Sequence, residues 1–291
     1  MTTGRAEAVA YGAATIINAI ATGEGAAFGV DLWTKARVVL TYEPSVVRGE
    51  IGSDPAESTL LIEKTVARVL QHFQSESQFG AKVKTTSNIP IARGLKSSSV
   101  AANAVALATV TALGKTLDDF AIVNLGVDAA FDAKVTVTGA FDDACASYFG
   151  GVVVTDNKNR KFLKRVLPPE GLSVLFHVPS NKAYTANSNV NRIKTMAPLV
   201  KIAYREANSG DLWTALSLNG IIYSSALGFD TSVALDALNA GAVAAGLCGK
   251  GPAVTAVVSN DKVDQVKVAL QRHKGEVISA KLNKEKARVI T

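Results

Sequence analysis

The chain has 291 residues, 48% of them hydrophobic and 19% charged, which is the composition of a folded, well-packed protein able to bury a large core in one big unit or two packed ones. Its net charge of +6 is dispersed. The densest basic group, Lys158, Arg160, Lys161, Lys164 and Arg165, lies between apolar runs like a solvated turn or hairpin, so no nucleic-acid partner is expected. No apolar run approaches a membrane span and the first residues lack a signal-peptide pattern, so no membrane is expected and the location is read as cytoplasmic.

In chain order, Ala6–Ile20 is small and apolar, and Thr34–Thr41 alternates as a strand does. Ser58–Phe73 has apolar residues at helical spacing, and Ala81–Thr86 reads as another strand. Ser99–Leu113 is apolar on nearly every face, the mark of a buried central helix. Asp118 and Asp119 open a further helix running to about Ala130. Lys134–Thr138 reads as a short β run, and Val152–Thr155 and Leu172–Val178 as strands around the basic turn. Helical stretches follow at Val190–Ala207, Asp211–Ala226 and Ser232–Ala240. The chain then closes with a glycine-rich segment, a strand at Ala253–Val258, a helix at Val263–His273 and two final strands. Strands and helices mix in both halves without a linker, which reads as two packed α+β units joined near residues 150–165.

Three segments carry chemistry. The first is Pro90-Ile-Ala-Arg-Gly-Leu-Lys-Ser-Ser-Ser99, a glycine and a serine triplet at the start of the buried helix. Backbone N–H groups, hydroxyls and the helix dipole converge there, which suits a phosphate; ordinary N-capping is the simpler alternative, but it needs only one serine. The second is Asp142-Asp143 on a Gly-rich segment, either a helix cap or a pair in which one carboxylate holds a lysine and the other faces a reaction centre. Asp132 lies just upstream. The third is Gly246-Leu-Cys-Gly-Lys-Gly-Pro252, dense enough in glycine for close approach to a ligand or for a plain tight turn.

Other patterns lead nowhere. Gly114-Lys-Thr116 resembles the end of a Walker loop, but the required earlier glycine is Thr109, and Gly114 suits a helix C-cap. Gly23-Glu-Gly25-Ala-Ala-Phe28 has Phe28 where a dinucleotide fingerprint needs glycine. Cys145 and Cys248 have no metal-site spacing, and His72, His177 and His273 are scattered.

Together the three segments resemble the GHMP kinase superfamily: the serine loop is similar to its PxxxGLxSS phosphate motif, and Gly249-Lys-Gly-Pro252 to its third, glycine-rich motif. Within it the chain resembles the archaeal-type shikimate kinases. The segments that carry this are Thr15–Gly23, Ala27–Leu32, Thr136–Ala144, Val190–Arg192 and Leu218–Ala226, so the likeness covers nearly the whole chain. The resemblance implies an α+β, two-domain fold: an N-terminal ATP-binding domain of ribosomal-protein-S5-like type, residues 1–155, and a ferredoxin-like C-terminal domain, residues 156–291. It implies ATP and Mg²⁺, and phosphorylation of the 3-hydroxyl of shikimate, with another small-molecule kinase of the superfamily, such as homoserine kinase, as the alternative. Oligomeric state stays open between monomer and homodimer.

Carried over by position, the resemblance gives the ATP phosphates to Pro90, Ile91, Ala92, Arg93, Gly94, Leu95, Lys96, Ser97, Ser98 and Ser99. It gives Mg²⁺ to Ser98, with Ser97 or Ser99 as substitutes, and to Asp132, where the superfamily usually has glutamate. Asp143, then Asp142, is expected beside the substrate hydroxyl, as a base or only as an orienting group. Asn18, Asp31, Gly249 and Gly251 are expected at the substrate, and Arg192 at its carboxylate, ahead of Arg37 and Arg93. The chain departs from the superfamily in lacking Pro-Gly-Lys and Gly-Glu-His in its first motif. It also carries Lys250 at a usually small position, either near the phosphates or solvated.

Overall fold

The computed structural model describes residues 4–180 and 190–290. Small residues alternating with β-branched ones fold the first forty positions into two long strands, β1 (Arg5–Ile17) and β2 (Glu24–Thr41). They are followed by β3 (Val47–Ile51), α1 (Leu60–His72) and β4 (Gly80–Ser87), and then by α2 (Ser97–Ala112), α3 (Asp119–Asp132) and α4 (Phe141–Phe149). A hairpin of β5 (Val152–Asp156) and β6 (Lys161–Val166) leads to β7 (Leu172–Val178). Four helices come next: α5 (Val190–Thr195), α6 (Ala197–Ser209), α7 (Leu212–Leu227) and α8 (Ser232–Asn239). The chain ends with β8 (Ala244–Leu247), β9 (Val254–Ser259), α9 (Val263–Gln271), β10 (Glu276–Lys281) and β11 (Arg288–Val289).

The strands form two sheets. The first runs β11-β1-β2-β4-β3, and the early part of β2 also pairs with the β5–β6 hairpin. Only β3 and β4 are parallel in it. The second sheet, β10-β7-β9-β8, is antiparallel throughout. The basic group at 158–165 therefore lies on a hairpin of the first sheet. Residues 155 and 156, where the expected domain boundary falls, both lie in β5, and its partner β6 is in the first sheet.

The core explains why α2 is apolar all round. Val100, Ala104, Val105, Ala106 and Ala108 are fully buried, and the helix is covered by β1 and β2 on one side and by α1, α3 and α4 on the others. Gly114 ends it with φ +65°, its N–H donating to Thr111 O, as a C-cap does. Residues 134–138 differ from the expected β run. Lys134 adopts φ +56° just after α3, no strand among the described residues pairs with the segment, and Gly139 and Ala140 are both left-handed before α4 begins. The β-branched residues there line a cavity wall instead of joining a sheet. Among the described residues no helix is long and apolar enough to cross a membrane.

Candidate active site

One cavity of about 250 Å³ brings the three motifs together. Its walls come from the end of β1, the start of α2, the 135–140 turn with the start of α4, and the 249–251 loop. β3, α1 and β4 close its far end. A register shift in the β1–β2 ladder between Thr15 and Ile17 lies where β1 reaches it.

The serine loop has a backbone shape that suits an anion. φ is positive at Ala92, Gly94 and Lys96 and negative between them, and Lys96 is the N-cap of α2. No side chain caps the helix, and Ser97, Ser98 and Ser99 all line the cavity. The three serines are therefore not spent on capping, and the first-turn N–H groups of a buried helix stand next to them. Gly94 is required by packing as well as by conformation. A Cβ there would lie 2.7 Å from Cys248 O and 3.0 Å from Gly251 O. Ala253 N–H donates to Arg93 O at 3.1 Å, so the third motif is fastened to the back of the first.

Asp143 meets that loop from the other side. Its Oδ2 lies 3.0 Å from Lys96 Nζ, and the two side chains are only 8% and 12% exposed. Burial works against the Lys96 charge, but Asp143, with Cys248 and Asp142, outweighs it and holds the ammonium above its ordinary value. The other oxygen, Asp143 Oδ1, is buried with no hydrogen-bond partner among the described residues. The N-cap of α4 is Ala140 and no side chain caps this helix either, so neither aspartate serves as a cap.

Asp142 is held differently. Asn157 Nδ2 donates to its Oδ1 at 2.7 Å, Asn157 Oδ1 accepts from its backbone N–H at 3.2 Å, and Thr155 Oγ1 donates to Asn157 Oδ1 at 2.7 Å. Burial, and then repulsion from Asp143, push the Asp142 carboxyl up to about 7. Gly25 leaves it room, since a Cβ there would fall 2.7 Å from Asp142 Oδ2. Asn157 escaped sequence reading: only its place in the hairpin, fifteen residues from Asp142, gives it this role.

Asn18 lines the cavity as expected, but its amide already has work. Nδ2 donates to Gly249 O at 2.9 Å and Oδ1 accepts from Ile20 N–H at 3.0 Å, while Asn219 and Tyr223 hold its backbone. Gly249 and Gly251 also line the cavity, and a Cβ on Gly249 would come 2.6 Å from Lys96 Nζ. Lys250 lies on the wall between them. Burial first, and then the Lys96 charge, push its ammonium down to about 7 against the pull of Asp143.

Other expected residues fall elsewhere. Asp132 is turned away: Arg68 grips both its oxygens, from Nε at 2.5 Å and from Nη2 at 2.7 Å, and it is absent from the cavity wall. Asp31 is exposed and accepts from Lys281 N–H, tying β2 to β10. Arg192 is exposed on α5, with Nη2 donating to Ser225 O at 3.4 Å. Arg37 is exposed on β2, and Arg93 donates to Pro179 O. Pro90 is half-buried beside the loop and Leu95 packs into the core, so both shape the cradle without lining it. The far end of the cavity, with Ile51, Leu61, Thr85 and Ser87, had no motif to announce it.

Residues 61–151 match the family described as the GHMP kinases N terminal domain. The chain is 49% identical to a shikimate kinase from Methanosarcina mazei over 278 residues, covering 95% of this chain and 94% of that protein. It is 46% identical to a shikimate kinase from Methanococcoides burtonii, covering 96% of each. A solved homoserine kinase from Cytophaga hutchinsonii shares the fold with a TM-score of 0.79 at 18% identity, over 100% of this chain and 98% of that one.

Proposed function

The chain belongs to the archaeal-type shikimate kinases of the GHMP kinase superfamily, and on that premise we propose that Asp143 receives the 3-hydroxyl of shikimate while the loop ahead of α2 holds the phosphates of ATP. The enzyme phosphorylates shikimate, giving shikimate 3-phosphate and ADP. The observation that carries the residue assignment is the divided environment of Asp143. One oxygen is fixed on Lys96, and the other is a buried acceptor without a donor in the cavity wall. Such an atom is costly to leave unpaired, and a substrate hydroxyl would supply the missing donor.

In this reading the uncapped serines and first-turn N–H groups of α2 face the phosphates, and Gly94 lets the backbone approach them. The 3-oxygen of shikimate forms a bond to the γ-phosphorus as the bond to the ADP oxygen breaks. The hydroxyl proton passes towards Asp143 Oδ1. Lys96 holds the carboxylate aimed, which serves a loose transition state that depends on positioning more than on a strong base. Asp142, held by Asn157, keeps α4 and its neighbour in place.

The donor set suits Mg²⁺, which usually takes one or two protein oxygens and leaves the rest to phosphates and water. Ser98 offers a hydroxyl of that kind in the cavity, whereas Asp132, gripped by Arg68, does not fit. When bound with ATP, the ion would neutralise charge on the β- and γ-phosphate oxygens. The free, buried thiols Cys145 and Cys248 accord with a cytoplasmic enzyme.

A coupled ADP-release assay across shikimate, homoserine and mevalonate tests the reading. Shikimate should be turned over with kcat/KM orders of magnitude above the other two. Equal or better turnover of homoserine would transfer the enzyme to the alternative substrate.

A further inference from the structure

Strand β1 ends at Ile17, and the chain turns through residues 18–23 before β2 begins. Asn18, Ala19 and Ile20 of this turn stand on the cavity wall. Outside a ladder, the buried backbone groups of the turn need partners from elsewhere. Helix α7 supplies them. Asn18 N–H donates to Asn219 Oδ1 at 3.1 Å, Tyr223 Oη donates to Asn18 O at 2.7 Å, and Ala21 N–H donates to Tyr223 Oη at 3.1 Å.

Asn219 and Tyr223 stand four residues apart on one face of α7, and each is only 1% exposed. Burial raises the Tyr223 phenol above its ordinary value, so the hydroxyl keeps the proton it donates to Asn18 O. The helix that carries them is itself fixed. Trp213 at its start meets Phe28 of β2 edge to face at 5.7 Å. A Cβ on Gly220 would run into Gly246 Cα and lie 2.7 Å from Leu247 N, so the backbone of α7 rests directly on β8. Leu218–Ala226, one of the segments that carry the resemblance, nonetheless adds no residue to the cavity wall among the described residues.

The side chain of Asn18 passes this support on. Its Nδ2 donates to Gly249 O at 2.9 Å, so the turn held by α7 holds the 249–251 loop on the same wall. From this we propose that Tyr223 and Asn219 are positioning residues for the substrate: lying off the cavity wall, they act through Asn18 and hold it where shikimate meets it. The assignment rests on the shikimate reading above and adds residues outside the cavity on which binding of that substrate depends.

The test is steady-state kinetics on the wild type, Tyr223→Phe, Asn219→Ala, Asn18→Ala and the double variant Tyr223→Phe with Asn18→Ala. Tyr223→Phe keeps the ring and removes the one oxygen that holds both Asn18 O and Ala21 N–H. KM for shikimate should rise about tenfold, with kcat and KM for ATP changed less than about threefold. Asn219→Ala should show the same selective rise. Because Tyr223 acts through Asn18, adding Tyr223→Phe to the Asn18→Ala enzyme should raise KM for shikimate less than about twofold further. Three results would overturn the assignment: KM for shikimate within about twofold of wild type in either α7 variant, equal rises in KM for shikimate and ATP, or full multiplication of the single effects in the double variant. Hydrogen exchange on the wild type decides the matter even if a variant fails to fold. With a non-hydrolysable ATP analogue bound, adding shikimate should slow exchange across residues 18–23 about tenfold, and unchanged exchange would overturn the assignment. Wild-type enzyme that does not turn over shikimate would overturn the functional reading and this assignment with it; turnover of shikimate without the selective KM effect would overturn the assignment alone.

Discussion

The end of α3 and the start of α4 each carry an aspartate, and the two meet opposite fates. Asp132 is about one-third exposed and closed off by Arg68 through two hydrogen bonds. Asp143 is buried, with one oxygen bonded to Lys96 and the other without a hydrogen-bond partner among the described residues. The Arg68 guanidinium holds Asp132 below the usual carboxylate range, with burial opposing only in part. That state is a settled surface ion pair. The two differ in that Asp143 keeps an unsatisfied oxygen in a shielded place, and the sequence spacing between them says nothing about it.

The sharpest way to break the comparison is to remove each group in turn. Asp143→Ala should lower turnover by about 10²- to 10⁴-fold, the usual worth of a positioned acid–base group, while ATP affinity measured by calorimetry stays within a few-fold. Lys96→Met strands the Asp143 charge in the interior, and losing one partner of a buried pair costs about 3–5 kcal/mol. Urea denaturation should therefore show a large drop in midpoint, alongside weak turnover. Unchanged stability would mean that the pair is not buried as described.

Gly94→Ala is the next largest. A methyl group at φ +90° would press on Cys248 O and Gly251 O, so the cradle must open. KM for ATP should rise about tenfold or more for a cost of order 1–3 kcal/mol, whereas an unaltered KM would show the loop to be uninvolved.

Asp142→Asn probes pH. The folded-state carboxyl titrates at about 7 against an ordinary 3.8, so the native state holds this proton more tightly than the unfolded chain does. Its contribution to stability is complete below about pH 4 and is lost as the pH rises to about 7. Thermal melts should therefore show the variant gaining on the wild type across that interval and running parallel above it. Parallel melts throughout would contradict the assigned protonation. Asp132→Ala should do least: a partly exposed pair is worth about 0–1 kcal/mol, and turnover should change by less than about threefold.

Local chemistry was legible in the sequence wherever neighbours along the chain decide it. The serine loop, the all-apolar α2 and the Gly114 cap depend on residues within a few positions of one another. So does the hairpin under the basic group. The residues whose surroundings differ from the expectation depend on partners chosen by topology. Asp132 is closed off by Arg68, sixty-four residues away, and Asp31 is used by the backbone of Lys281. The segment 134–138 has β-branched residues but no strand beside it, so propensity alone could not make it β. Asp143 could be chosen through the family resemblance, but its pairing with Lys96 and its buried, unpartnered oxygen belong to the fold.

The central claim is that Asp143, and not Asp132, faces the reacting hydroxyl. The most direct measurement is the turnover number of Asp143→Asn and Asp132→Asn side by side, at saturating ATP and shikimate, with folding checked by circular dichroism. The account predicts a loss of at least about 10²-fold for Asp143→Asn and near wild-type turnover for Asp132→Asn. A folded Asp143→Asn enzyme that keeps its turnover, or an Asp132→Asn enzyme that loses it, would contradict the account.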